Sequence, residues 1–266
     1  ILYFFIFYII KYRKKIVFNN LQLVFPEKSE KEITKIAKEF YRHFADMLLE
    51  SVKTFSMNEK EMEKRYHFKN PEIFQELAQK NKSVALVGSH YANWEWGILL
   101  NKKMPHQFFG AYSKLKNPYF DALIRRSRGK FGSILVATKD TSALMKSNTE
   151  SNILSLYVLV SDQSPILQKT NYWSEFLGVK VPIHVGAEVL ARKHNLAVVF
   201  FAVDKVKRGY YEVTFQTISE DLSTSKNFEI TNAFLNLVET QIKYKPSLYF
   251  WTHKRWKHRD KVPVSK

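Results

Sequence analysis

The stretch Val84-Ala85-Leu86-Val87-Gly88-Ser89-His90-Tyr91-Ala92-Asn93-Trp94-Glu95-Trp96-Gly97 constrains this chain more than any other. Residues 83–87 have the composition of a short buried strand, bounded by polar Asn81-Lys82 and by Gly88. Asn93 is placed to cap a helix that begins Trp94-Glu95-Trp96. A buried strand leading through a tight turn into a helix is the building unit of an α/β sheet. It puts His90 at the C-terminal end of the strand, where open α/β sheets hold their ligands. Glu95, in the first helical turn, is then near enough to fold back onto the imidazole.

An imidazole of near-neutral pKa can take a proton from a weak nucleophile such as a hydroxyl. A carboxylate on its other nitrogen fixes the tautomer and stabilises the imidazolium that forms. No serine stands in a nucleophile-elbow context and the chain has no cysteine, so direct attack by a substrate hydroxyl fits better than a covalent enzyme intermediate. The plainer alternative is a capping histidine beside a glutamate that only complements a helix dipole.

The remaining chain repeats the strand–helix alternation. Strands are predicted at 107–112, 133–137, 153–160 and 196–203, with an alternating edge strand at 210–218. Helices are predicted from Asn117-Pro118 to Gly129, and over 141–146, 185–194 and 228–244. Asn70-Pro71 opens a further short helix. Ser29 and Glu32 form a capping box. It precedes an apolar stripe through Ile33, Ile36, Phe40, Phe44, Met47 or Leu48, Val52 and Phe55, with His43 as a partly exposed residue of that helix. The fold class is therefore α/β, a mainly parallel central sheet flanked by helices.

Two ends frame this core. Ile1 to Ile10 are all apolar or aromatic, and a basic cluster of Lys11, Arg13, Lys14 and Lys15 follows. A ten-residue helix covers only about 15 Å, half of the hydrocarbon thickness. An apolar end backed by basic residues reads as a truncated membrane anchor whose remaining domain is cytoplasmic. Residues 1–20 are thus separated from a single domain over 21–266. The opposite end carries Trp251-Thr252-His253-Lys254-Arg255-Trp256-Lys257, basic residues interleaved with aromatics, suited to phosphates, headgroups or a solvated tail.

Formal charge narrows the partners. With 42 Lys and Arg against 25 Asp and Glu, the net charge of +17 calls for a membrane, a nucleic acid or a phosphorylated substrate. The lack of cysteine excludes disulfides and thiolate metal sites, and no ligand cluster has the spacing of a metal site.

Gly88-Ser89-His90-Tyr91-Ala92-Asn93-Trp94-Glu95 resembles the His-x4-Asp/Glu block of the lysophospholipid acyltransferase superfamily. Glutamate preceded by tryptophan is similar, more narrowly, to the late acyltransferases of bacterial lipid A synthesis. Three further blocks follow in that family's order: Asn117-Pro118-Tyr119-Phe120-Asp121, Ser161-Asp162-Gln163, and the C-terminal Trp-x-His-Lys-Arg-Trp-Lys run.

The resemblance implies an O-acyltransferase with an N-terminal membrane-associated helix, acting at the cytoplasmic face of the inner membrane. It would move a fatty acyl chain from acyl carrier protein, or from coenzyme A, to a hydroxyl of a phosphorylated lipid A precursor. No cofactor, metal or nucleic acid is implied. His90 would be the general base and Glu95 its orienting acid. Arg128 and Asp162 would be site residues that pair with each other, and Asn117, Gln163, His253 and Arg255 would bind substrate. Arg125 and Arg126 fall where the family varies. Ile183-His184 and Lys193-His194-Asn195 depart from its smaller residues, which leaves another glycolipid or an aminolipid open as acceptor. A non-enzymatic basic membrane or nucleic-acid binder would account for the charge but not for the dyad.

Overall fold

The computed structural model describes residues 1–263. The chain begins with α1 (Leu2–Phe4), a π-helical turn (Phe5–Ile9), α2 (Lys14–Val24), α3 (Glu30–Lys53) and α4 (Glu59–Glu63). Next come β1 (Tyr66–Phe68), α5 (Ile73–Gln79), β2 (Val84–Gly88) and a 3-10 helix (Trp94–Lys102). They are followed by β3 (Gln107–Tyr112), α6 (Pro118–Arg128), β4 (Ile134–Ala137), α7 (Thr141–Glu150) and β5 (Ser155–Val160). The last part holds β6 (Trp173–Phe176), β7 (Val179–Pro182), α8 (Gly186–Lys193), β8 (Ala197–Lys207), β9 (Tyr210–Ser219) and α9 (Glu229–Tyr244).

Seven strands form one sheet in the order β1-β9-β8-β2-β5-β3-β4. Every neighbouring pair is parallel except the β8–β9 hairpin. All five residues of β2 are buried, as expected of a strand covered on both faces by crossover helices. Its neighbours β5 and β8 therefore bring their C-terminal ends to the same edge as His90.

Sequence chemistry accounts for the long helix α3. The Glu32 amide donates to Ser29 Oγ at 3.4 Å and the Ser29 amide donates to Glu32 Oε2 at 2.9 Å, which closes the capping box. Ile33, Phe40, Phe44 and Met47 are buried, while Leu48, Val52 and Phe55 are exposed, so the stripe leaves the core in the last turns. His43, expected to be partly exposed, is buried instead, because Lys205 of β8 covers this face and donates to its Nδ1 at 3.2 Å.

The apolar N-terminal end does not form one continuous helix. Lys11 and Arg13 take left-handed φ values of 53° and 50°, which interrupt the helix before α2. The segment folds back on α3, with Ile6 and Phe7 buried and the Phe7 ring edge-on to Tyr41 at 5.2 Å. Phe4, Phe5, Tyr8, Ile9 and Ile10 remain exposed. Among the described residues no helix is long and apolar enough to cross a membrane. Helix α2 runs through position 20.

Three strands escape a reading by sequence pattern. The three-residue β1 pairs with β9, so 210–219 is an internal strand and not an edge. Strands β6 and β7 form a separate hairpin, with Phe176 paired to Val179 across Leu177 (φ 51°) and Gly178 (φ 73°). Two positive φ values at the centre of a two-residue loop match the twist of the flanking strands. Asn70 does not cap α5; its side chain exchanges hydrogen bonds with the Phe215 backbone at 2.8 and 2.9 Å.

Candidate active site

The register of two parallel strands builds the centre of the site. Gly88 at the end of β2 is paired with Val160 at the end of β5. The pairing continues one step beyond, where the Ser161 amide donates to Gly88 O at 3.3 Å. Two residues past each paired end, His90 and Asp162 face each other, and His90 Nδ1 donates to Asp162 Oδ1 at 2.7 Å. Asp162 is 1% exposed, whereas the His90 side chain keeps 22%. Burial pulls the Asp162 carboxyl up, but the imidazole and nearby backbone amides outweigh it and hold the pKa below the usual aspartate value. An ionised carboxylate only accepts, so Nδ1 carries the proton and Nε2 is the nitrogen left for substrate.

Glu95 does not meet the imidazole. The 3-10 helix that Asn93 caps, by accepting from the Trp96 amide at 3.2 Å, turns Glu95 toward α6. There Arg128 Nε and Nη2 donate to Glu95 Oε2 and Oε1 at 2.9 and 2.6 Å. Trp94 Nε1 adds a donor at 3.1 Å. Burial raises the Glu95 pKa, but Arg128 prevails, with a further contribution from the field of His90, and the carboxyl lies below the usual glutamate range. The pairings inferred from sequence, His90 with Glu95 and Arg128 with Asp162, are thus exchanged. A local turn suggests the first pairing, but the β2–β5 adjacency imposes another.

The other candidate residues divide. Gln163 lines a cavity together with His90, Glu95 and Arg128. Asn117 does not belong with them: its Oδ1 accepts from the Tyr119 and Phe120 amides at 3.0 and 3.2 Å, so it is the N-cap of α6. Arg125 and Arg126 are exposed on the same helix. Arg255 is 1% exposed and does not face the cavity, which is incompatible with a headgroup-binding surface residue. His253 is partly buried, and burial brings its pKa down to about 4.

The C-terminal run is pinned to the site. The Phe250 amide donates to His90 O at 3.0 Å and the Ala92 amide to Leu248 O at 2.9 Å. Asn20 Nδ2 of α2 holds the Trp251 and His253 carbonyls, each at 2.9 Å. The Phe250 and Trp94 rings then flank the imidazole at 6.1 and 5.0 Å.

The cavity measures about 700 Å³ and every strand of the large sheet contributes to its wall. Leu86, Leu100, Phe108, Phe201, Val213 and Phe215 supply buried apolar surface, and the 3-10 helix adds Ile98. His184, from the turn before α8, also lines it. An apolar chamber with a few convergent polar groups is the usual form of a small-molecule site. A histidine–carboxylate pair at its wall is equipped for general base chemistry on a hydroxyl, and the adjacent guanidinium for binding an anion.

The chain is 24% identical over 250 residues to the lipid A biosynthesis lauroyltransferase of Escherichia coli K12, covering 94% of this chain and 80% of that protein. It is 21% identical over 253 residues to the lipid A biosynthesis palmitoleoyltransferase of the same strain, again covering 94% and 80%. Among solved structures, the 1-acyl-sn-glycerophosphate acyltransferase PlsC from Thermotoga maritima aligns over 95% of this chain and 99% of that one, at 13% identity and a TM-score of 0.40. The bacterial lipid A biosynthesis acyltransferase family profile matches residues 3–258, and the chain is a member of that family.

Proposed function

We propose that this acyltransferase moves a fatty acyl chain from an acyl thioester to a hydroxyl of a lipid A precursor, with His90 as general base and Asp162 as the carboxylate that orients it. The observation that carries this reading is the 2.7 Å His90–Asp162 pair at the wall of a largely apolar cavity. The acyl chain occupies the apolar part of the cavity and the thioester carbonyl lies beside His90. The acceptor oxygen attacks that carbonyl as Nε2 takes its proton. The tetrahedral intermediate collapses with cleavage of the C–S bond, and the imidazolium returns the proton to the leaving thiolate.

Arg128 keeps three N–H groups beyond the two bonded to Glu95. These serve an acceptor phosphate or the developing oxyanion. Glu95 therefore acts by fixing the guanidinium.

A charge of +17 suits an acidic acyl carrier protein as donor and a phosphorylated acceptor. The reading extends to the cytoplasmic face of the inner membrane. Exposed Phe4, Phe5, Ile9 and Ile10 beside Lys11 form one apolar and basic surface. Tyr119, Phe120 and Leu123 with Arg125 and Arg126 on α6 form another.

The test is transfer from labelled acyl carrier protein, or from acyl coenzyme A, to a tetra-acylated lipid A precursor bearing its inner sugar acids, in detergent, with His90→Ala in parallel. A labelled lipid formed by wild type alone supports the reading. Thioester consumption without that lipid moves the acceptor to another glycolipid or aminolipid. Folded wild type that leaves both thioesters intact with every acceptor ends the proposal.

A further inference from the structure

We infer that Glu50 of α3 is a positioning residue, which sets the Asn93 amide and through it the turn that carries Glu95. The inference rests on the roles proposed above for Glu95 and Arg128. In the last turns of α3 the apolar stripe faces outward, with Leu48, Val52 and Phe55 exposed. The face left inside carries Glu50 and Thr54, at 7% and 2% exposure. Asn93 Nδ2 donates to Glu50 Oε2 at 2.7 Å, and the Tyr211 hydroxyl donates to Oε1 and Oε2 at 3.0 and 2.9 Å. Just past the helix, Thr54 Oγ1 accepts from Trp96 Nε1 at 2.9 Å. The end of α3 thus grips Asn93 and Trp96, the two residues that flank Trp94-Glu95.

Asn93 has one orientation that serves both of its neighbours. The Trp96 amide only donates, so it takes Oδ1, at 3.2 Å, and Nδ2 is left needing an acceptor. Asn93 is buried, and Glu50 supplies that acceptor. The turn needs to be held: Ala92, just before Asn93, takes a left-handed φ of 49°, which is strained for any residue with a Cβ. His90 is fixed from elsewhere, by the Phe250 amide on its carbonyl and by Asp162 on its ring. The Glu50 contact therefore governs the other end of the turn, where Glu95 holds Arg128. A carboxylate is costly to bury, and packing alone would place an apolar residue at this position.

The experiment compares Glu50→Met, Glu50→Gln, Asn93→Asp and the double variant Glu50→Gln/Asn93→Asp. Two quantities are read: kcat/KM for acyl transfer, and hydrogen exchange of the backbone amides of residues 94–97. Methionine keeps the length of the side chain and removes the acceptor, so exchange should quicken about fivefold or more and kcat/KM should fall about 10-fold. Glutamine still offers an oxygen to Asn93, and Glu50→Gln should stay within about threefold of wild type. Asn93→Asp sets two carboxylates against each other and should be impaired like Glu50→Met. Adding Glu50→Gln restores a donor facing an acceptor, and the double variant should return to within about threefold of wild type in both readings. An unimpaired Asn93→Asp, a double variant no better than Asn93→Asp, or a Glu50→Met with wild-type exchange and turnover overturns the inference. If Glu50→Met does not fold, the exchange of roles between Glu50 and Asn93 decides. Should wild type prove inactive, the reaction proposed above fails by itself, and amide exchange across the four variants still decides whether Glu50 holds the turn.

Discussion

His90 Nδ1 and Asp162 Oδ1 are 2.7 Å apart at the ends of two strands whose register, Gly88 opposite Val160, sets them face to face. This contact defines which tautomer the imidazole adopts. Asp162→Asn keeps the shape but offers an amide that can present N–H to Nδ1, which moves the imidazole proton to Nε2 and blocks it as a base. We expect kcat to fall by about 10³-fold or more with the fold intact, by analogy with loss of the orienting carboxylate in a serine protease triad. Steady-state transfer assays on folded protein check this, and a loss below tenfold would contradict it.

Glu95 and Arg128 act as one unit, joined by two charge-assisted hydrogen bonds at the cavity wall. Glu95→Gln and Arg128→Gln should each reduce kcat/KM, and their double variant should be little worse than Arg128→Gln. With side-chain exposures of 23% and 30%, solvent screens the pair, so a coupling of about 1 kcal/mol is expected. Additive losses would mean that each contacts substrate independently. A Glu95→Gln loss as deep as that of Asp162→Asn would return Glu95 to the imidazole.

Local chemistry made much of the scaffold legible. The apolar runs of β2, β3, β5 and β8 end at glycine or polar residues, and the Ser29–Glu32 box marks the start of α3. Which carboxylate meets His90 was not legible, since it depends on β2 lying next to β5, a choice made by packing far from either residue in sequence. The hairpin β6–β7 was missed because its turn is Leu-Gly and lacks the Asn or Asp usual at such a position. Lys254-Arg255-Trp256-Lys257 reads as a solvated basic run, yet its middle two residues are buried and its outer two exposed. Asn20, which ties that run down, is one of several polar residues on α2, and nothing in the sequence sets it apart from Asn19 or Gln22.

Stability should fall on mild acidification before the carboxylates titrate. Burial and the neighbouring Lys205 lower His43 to about 3, and burial lowers His253 to about 4, both from an ordinary 6.5. Between those values the unfolded chain binds protons that the folded chain refuses, so stability is lost as pH drops below about 6.5. The slope is at most about 1.4 kcal/mol per pH unit for buried His43 and less for part-buried His253, which solvent screens. Asp162 and Glu95, whose pKa values are depressed, stabilise above the ordinary carboxylate range and lose this as pH falls through their lowered values. Thermal melts from pH 8 to 4 on wild type and His43→Gln test the first window. The variant should show a visibly flatter decline, and parallel curves would remove His43 as the cause.

Gly88 couples the site's backbone to the shape of the cavity. A Cβ at this position would collide with the ring of Phe201, whose side chain lines the apolar wall. Gly88→Ala must therefore displace that ring, and in a close-packed sheet the open direction is the cavity. The strain should cost about 1–3 kcal/mol of stability. If the acyl chain lies where proposed, the displaced ring also shortens the space for it, and kcat/KM for a longer chain relative to a shorter one should fall about 10-fold. Gly88→Ala combined with Phe201→Leu removes the ring edge and should restore both stability and the longer chain. Competition between two labelled thioesters of different length reads the ratio directly. A destabilised Gly88→Ala with an unchanged ratio would show that Phe201 does not bound the acyl chain.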